Sequence, residues 1–174
     1  MSFPNPVLNS GYYITQAEGG LSPCIEGNNA YNLRPFPGSV LPNCTGYVTG
    51  RFNEVLSLGA CTYFGNYNAN MYYGIGQLQG LQVGDIPVPG GVIVWDDGNE
   101  GHAAFIEEVF DNDTVQTSES GWNYTSPPIV MSYIRRRDSN GDFVYAAGYT
   151  YLGIVYPPGG MTAEDYYMLW LSNE

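Results

Sequence analysis

An α+β domain is predicted, and three observations predict it. One amphipathic helical stretch, residues 44–57, precedes the clear strand signals. From residue 91 onward, short apolar runs rich in β-branched and aromatic residues alternate with turn sequences. Within that region the Asn140-Gly141 dipeptide of DSNGD is a hairpin signal. A helix followed by consecutive strands on tight turns gives an antiparallel meander of five or six strands with a helix laid against it.

In chain order, residues 1–40 are rich in Pro, Gly and Asn and show little periodicity, so they read as an irregular lead-in. In LPNCTGYVTGRFNEVL, Pro42 and Asn43 form a turn and Asn43 is a good N-cap. The apolar positions Cys44, Val48, Phe52 and Val55 then make one helical face, with Arg51, Asn53 and Glu54 off it. Residues 60–83, rich in Tyr, Asn and Gly, read as irregular with a short helix near Asn68–Tyr73. GVIVW is a buried strand, DDGNEG a turn, HAAFIEEVF (102–110) a second strand, DNDT a turn and VQTSES (115–120) a third. PIVMSYIRRR is a fourth, and FVYAAGYTYLGIVY carries one or two more. Pro157-Pro158-Gly159-Gly160 breaks the pattern, and Thr162 caps a terminal helix in which Tyr166, Leu169 and Trp170 form an apolar face.

The chain has 174 residues, no lysine, five arginines and a net charge of -12. Such a surface excludes nucleic acid, which demands a cationic footprint, and anionic lipid. No apolar run reaches membrane-spanning length. MSFPNPVLNSGYY has no charged region followed by an apolar one, so a secretory leader is not expected. Cys24, Cys44 and Cys61 fit no zinc spacing; Cys24 and Cys61 are either free thiols or a pair. Asp138, Asn140 and Asp142 alternate like the start of a calcium loop, but the glycine is misplaced and the distal Glu is missing, so a polar hairpin turn is expected. No metal or cofactor is expected.

Three residues carry the candidate chemistry. Cys44 falls in the first turn of the helix, where the positive end of the dipole favours a thiolate, the nucleophilic form. The alternative is a small buried core residue. A nucleophile needs a base, and His102, the one histidine, opens a strand after a glycine. A base needs an orienting group. Glu119, near the end of the next strand, is the best candidate; Glu107 and Glu108 are alternatives whose side chains point to opposite faces. A two-residue Asn112-Asp113 loop sets Ile106 opposite Glu119, on the face of His102. That leaves an offset of about four residues, roughly 13 Å, for a bulge or a longer loop to close.

The segments PNCTGYVTGR, PGGVIVWDDGNEGHAAFIEEV and VQTSESGWN, in that order, resemble the CHAP family, the cysteine, histidine-dependent amidohydrolases/peptidases. Before the second segment the chain has Gly84-Asp85-Ile86 and an insertion, Pro87–Gly90. The resemblance spans about residues 20–157. It implies a papain-like (NlpC/P60-type) α+β fold, with the cysteine helix packed on an antiparallel sheet that bears the histidine. Together with the residue pattern it divides the chain into an expected catalytic domain over 1–157 (lead-in 1–40, nucleophile helix 44–57, sheet 91–156), and the pattern alone adds a linker and C-terminal helix over 158–174. The implied activity is cleavage of an amide bond in peptidoglycan, by an N-acetylmuramoyl-L-alanine amidase or a stem-peptide or cross-bridge endopeptidase. By position, Cys44 is the implied nucleophile, His102 the base and then the acid, and Glu119 the orienting group.

Two departures stand out. Many members carry an asparagine two residues after the glutamate; here that position is Gly121, with Asn123 close by as a substitute. The acidic calcium loop of some phage members has no counterpart in YNLRPFPGSVLPN. Tyr47, Trp95 and Trp122 adjoin the three motif residues and are candidates to wall a substrate groove, against the plainer role of filling the core. An acidic protein meets an anionic wall poorly, so a separate wall-binding module or phage tail proteins are expected as further partners. The setting expected is a bacteriophage endolysin released by a holin from the host cytoplasm, or a virion-associated lysin. The rival classes are a non-enzymatic wall-binding module of a phage tail or surface protein, and a thiol protease or amidase with a non-wall substrate.

Overall fold

The computed structural model describes residues 3–7, 44–59, 62–65, 67–120 and 130–160. Helix α1 (Cys44–Val55) is followed by a 3₁₀ turn (Ala69–Met71) leading into α2 (Tyr72–Leu78). The strands are β1 (Val83–Gly84), β2 (Val92–Asp96), β3 (His102–Asp111), β4 (Thr114–Ser120), β5 (Val130–Arg136) and β6 (Thr150–Val155). They form one six-stranded sheet of order β1-β6-β2-β3-β4-β5, in which every described pairing is antiparallel. One helix packed across an antiparallel sheet is the papain-like α+β arrangement.

Alternation along β2 and β3 builds two cores, because successive side chains leave a strand on opposite faces. Val92, Val94, Ala103 and Phe105 face α1 and meet Tyr47, Val48 and Phe52. Ile93, Trp95, Ala104 and Ile106 face the other way and meet Val115, Phe143 and Ile154. The segment between β5 and β6 covers that second face with Phe143, Tyr145 and Tyr149. This explains why the pure meander expected from the sequence is not what forms. β2 to β5 do follow one another, but the covering segment carries the chain back, and β6 pairs with the free edge of β2. β1 was not expected, since two residues are too few to show a periodicity; Val83 and Gly84 pair with Val155 and Ile154.

Helix α1 ends two residues before the expected boundary, and its C-terminus gives the reason. Ser57 adopts φ +52, and the N–H groups of Ser57 and Leu58 donate to the carbonyls of Glu54 and Asn53. That is a Schellman stop, with serine at the position glycine usually takes. Arg51 and Asn53, expected off the buried stripe, are buried as well. Arg51 donates to both oxygens of Glu107, at 2.9 and 2.8 Å, and to the Pro4 carbonyl at 2.6 Å. Asn53 donates to the Thr49 carbonyl and accepts from the Tyr63 N–H. Polar groups of this kind enter a core only with their hydrogen bonds made.

The expected lead-in (apart from residues 3–7), Cys24, Cys61 and the terminal helix beyond residue 160 lie outside the described residues. The DSNGD hairpin is a polar turn, with Asp138 Oδ1 accepting the N–H groups of Asn140 and Asp142. Among the described residues no helix is long and apolar enough to cross a membrane.

Candidate active site

Cys44 is the first residue of α1, so the positive end of the helix dipole lies at its thiol. It is nearly buried, at 8% exposure, against the core between α1 and the sheet. The helix brings it to the end of the sheet where β3 begins and β4 ends.

His102 opens β3, and the turn before it is firmly held. Asp97 Oδ1 accepts the N–H groups of Asn99, Glu100 and Gly101, and these bonds, that of Gly101 foremost, keep the Asp97 carboxyl below its ordinary range. Gly101 has φ +73, and a Cβ there would lie 2.4 Å from the Trp95 carbonyl and 2.7 Å from the Asn70 nitrogen. Only glycine fits next to His102. The Asn70 side-chain nitrogen ties the turn to the helical segment by donating to Asp96 and to the Asn99 carbonyl.

Glu119 reaches His102 because of the register of β3 and β4. The loop between them is the two-residue Asn112-Asp113 turn, with Asp111 opposite Thr114. The register then shifts twice, between Val109 and Asp111 and between Ile106 and Glu108. Two bulges on one strand slide the partner by two residues and preserve the face, so half of the four-residue offset disappears. The side chains span the rest, and His102 Nε2 lies 2.7 Å from Glu119 Oε2. Glu119 is 1% exposed. Its Oε1 accepts from Thr117 Oγ1 at 2.9 Å, and both its oxygens accept from Arg135.

With Nε2 committed to Glu119, Nδ1 is the nitrogen left for Cys44. Burial works against the protonated ring, but charge attraction and a hydrogen bond with Cys44, followed by those with Glu119, outweigh it. Together they push His102 from 6.5 up to about 9. Burial likewise opposes ionisation of Glu119, yet His102 and Arg135 hold its carboxyl below the usual range. Two positive and two negative groups therefore balance when Cys44 is thiolate and His102 imidazolium. A thiolate beside an imidazolium is suited to attack a carbonyl carbon and then to protonate a leaving amine.

The structure thus brings Cys44, His102 and Glu119 together. It does not put Tyr47 or Trp95 on a groove. Tyr47 is fully buried, with its hydroxyl donating to Ser118 Oγ at 2.9 Å, and Trp95 is fully buried, with its indole N–H donating to the Phe143 carbonyl at 2.6 Å. Both are core residues and present no face to a substrate. Trp122 and Asn123 lie outside the described residues, as does Gly121. Glu107, weighed as an alternative to Glu119, faces α1 and binds Arg51 and Ser118. The opposite facing expected for Glu108 is not what forms: the bulge between Ile106 and Glu108 pairs Glu108 with Gln116, while Val109 and Val115 join the other core, so Glu108 lies on the same face as Glu107.

Two residues of the site escaped the sequence reading. Arg135 is one of three consecutive arginines, and only the register of β5 tells which of them faces Glu119. Tyr145 lies in the covering segment and stacks on His102, with centroids 4.1 Å apart and planes 13° from parallel. Burial and the Glu119 charge push its hydroxyl pKa up, so it stays protonated.

A family model described as CHAP domain matches residues 35–121, half of the chain. The matched span contains Cys44, His102 and Glu119 and ends before Arg135 and Tyr145. The N-acetylmuramoyl-L-alanine amidase sle1 of Staphylococcus aureus strain USA300 is 28% identical over 129 residues, covering 74% of this chain and 35% of that relative. The sle1 proteins of strains NCTC 8325 / PS 47 and COL match to the same extent. The chain spans about a third of the length of these curated relatives.

Proposed function

The chain belongs to the CHAP family, and from that premise we propose that it is a peptidoglycan hydrolase that cuts an amide bond by a Cys44-His102-Glu119 thiol mechanism. The observation that carries the mechanism is the buried 2.7 Å contact between His102 Nε2 and Glu119 Oε2, with Cys44 the remaining partner of the ring. The name of the matched amidase supports the substrate class.

In the proposed reaction the Cys44 thiolate attacks the amide carbonyl carbon. The oxyanion forms at the N-terminal end of α1, where the Cys44 N–H and the helix dipole stabilise it. His102 gives its proton to the leaving amine as the C–N bond breaks, leaving a thioester on Cys44. Neutral His102 then takes a proton from water as the hydroxide equivalent attacks the thioester carbon; the C–S bond breaks, the Cys44 thiolate and the His102 imidazolium are restored, and the acid product departs. Glu119 keeps the ring in one orientation and tautomer through both halves.

The biological setting we propose is bacterial lysis by a bacteriophage lysin, with wall targeting supplied by a separate module. The acidic composition supports the need for such a module, since it repels an anionic wall. Turbidity loss, released amines and released reducing ends are the measurements, on purified cell walls, with wild type, Cys44→Ala and His102→Ala. Lysis by the wild type alone, with new amines and no new reducing ends, is the expected result. Wall binding without cleavage by any of the three proteins would replace the enzyme with a binding module. For the setting, expression in a host cytoplasm should lyse cells only when a holin is co-expressed.

A further inference from the structure

Arg135 comes to Glu119 from four residues along the neighbouring strand, since its own partner on β4 is Val115 and that of Glu119 is Met131. Its Nε and Nη2 donate to Oε1 at 3.2 and 2.8 Å, and Nη2 also donates to Oε2 at 2.8 Å. The guanidinium is itself held. It lies over the rings of Tyr133 and Tyr145, at 4.5 and 4.8 Å, and Nη1 donates to the Tyr145 carbonyl at 3.4 Å. An arginine fork is planar and rigid, and it sets the plane of the carboxylate it binds.

We propose that Arg135 is a positioning residue for the thiol reaction: it fixes the plane of the Glu119 carboxylate, so that Oε2 stays aimed at His102 Nε2. This inference rests on the reading of Cys44, His102 and Glu119 as the reacting unit. Two physical arguments carry it. The terminal torsion of a glutamate is soft, so one hydrogen bond to His102 does not lock it. Arg135 and Thr117 add the contacts that do. The second argument is charge. Among the described residues, the titratable and charged groups at His102 are Cys44 from α1, Glu119 from β4 and Tyr145 from the covering segment, with Arg135 from β5 bound to Glu119 behind them. Without Arg135 the thiolate–imidazolium state would leave one buried negative charge uncompensated, and the site would relieve it by taking up a proton on Glu119.

The test uses Arg135→Gln and Arg135→Lys, each in the wild-type and Glu119→Gln backgrounds, with thermal unfolding to confirm that each variant is folded. One readout is kcat and KM on purified walls. The other needs no substrate: the pH dependence of Cys44 alkylation by iodoacetamide, followed on the Cys44 peptide by mass spectrometry. Arg135→Gln is expected to lower kcat roughly tenfold to a hundredfold, a fraction of what the general base itself supplies, with KM within about twofold. The acid limb of the alkylation profile should move up by about one pH unit, as Glu119 protonates more easily. Arg135→Lys keeps the charge without the fork, so it should keep the acid limb and lose part of kcat. In the Glu119→Gln background either change should cost nothing further, because the residue acts through Glu119.

A folded Arg135→Gln with the wild-type kcat and alkylation profile would overturn the proposal. So would an equal loss in both backgrounds, which marks a merely structural role. Should Arg135→Gln not fold, the comparison of Arg135→Lys across the two backgrounds decides in the same way. Should the wild type cleave no wall, the function proposed above fails, and the alkylation profiles still decide on Arg135.

Discussion

The ring of Tyr145 lies 4.1 Å from that of His102 and nearly parallel to it. The edge of this stack is closed by Trp95, whose ring is 6.0 Å from His102 and 5.3 Å from Tyr145. The imidazole is thus covered on a face by an aromatic plane, which keeps water off it and limits its rotation. Such pairs contribute about 0.5–1.5 kcal/mol beyond the area they bury. Tyr145→Phe retains the plane and should keep kcat within about twofold, whereas Tyr145→Ala opens the face and should lower kcat by about tenfold. Steady-state kinetics on cell walls measure both. Equal losses in the two variants would assign the effect to the hydroxyl instead of the ring.

The protonation of His102 can be watched directly, because it is the one histidine in the chain. Its folded value, about 9, lies above the ordinary 6.5. The charged ring therefore contributes stability that is fully present below pH 6.5 and is lost as the pH rises through about 9. Burial alone would have the opposite sign. Cys44→Ala removes the attraction that works hardest against burial, so the ring should titrate lower in that variant than in the wild type. An NMR titration of the imidazole signals in the two proteins checks this. Wall cleavage should decline on the alkaline side as His102 loses the proton that the leaving amine needs. Identical titrations near 6.5 in both proteins would remove Cys44 from the neighbourhood of the ring.

What the sequence revealed, and what it hid, follows from the range of the interactions. The helix bearing Cys44 and strands β2 to β4 are local patterns, visible as a helical spacing and as short runs rich in β-branched and apolar residues between turns. The pairing of His102 with Glu119 was half visible. The face was right, but the two bulges that close the gap are set by packing, and no residue pattern announces them. Arg51 and Asn53 fell off the apolar stripe because charge and polarity are read residue by residue; their partners Glu107 and Tyr63 come from elsewhere in the chain. Tyr47 and Trp95 adjoin the motif residues in sequence, but alternation and helical spacing turn them into the two cores. Arg135 and Tyr145 belong to pairings decided after the turn at 112–113, and only the folded sheet brings them to His102.

The pair Arg51 and Glu107 should carry stability with little bearing on the reaction. Arg51 is buried, bonded to both Glu107 oxygens and set 5.4 Å over the ring of Phe105. Glu107 also accepts from Ser118 Oγ, which in turn accepts from Tyr47, so the ion pair joins α1 to β3 and β4. Removing one partner of such a pair leaves the other charge buried and typically costs about 3–5 kcal/mol. Arg51→Ala is thus expected to lower the urea midpoint sharply, with the folded fraction still alkylating Cys44 at the wild-type rate. Replacing both partners, as Arg51→Met with Glu107→Leu, should recover most of the loss. A loss in the double variant equal to the sum of the two single losses would mean that the ion pair is not the source.

Gly98 and Gly101 offer a controlled comparison within one turn. Both have positive φ, +80 and +73, so alanine at either pays a similar backbone strain, on the order of 1–2 kcal/mol. Their surroundings differ. A Cβ at Gly98 meets nothing within 4 Å, whereas one at Gly101 runs into the Trp95 carbonyl and the Asn70 backbone nitrogen. Neither obstacle is the far end of a flexible side chain, so the turn itself must shift. The residue it would shift is His102, held by a hydrogen bond that weakens steeply once its geometry is lost. Gly98→Ala should therefore reduce stability alone, measured by thermal unfolding, and leave kcat near wild type. Gly101→Ala should reduce stability further and also lower kcat, with the His102 NMR titration moving away from that of the wild type. A Gly101→Ala protein with unchanged kcat would show that the start of β3 accommodates the shift without moving the ring.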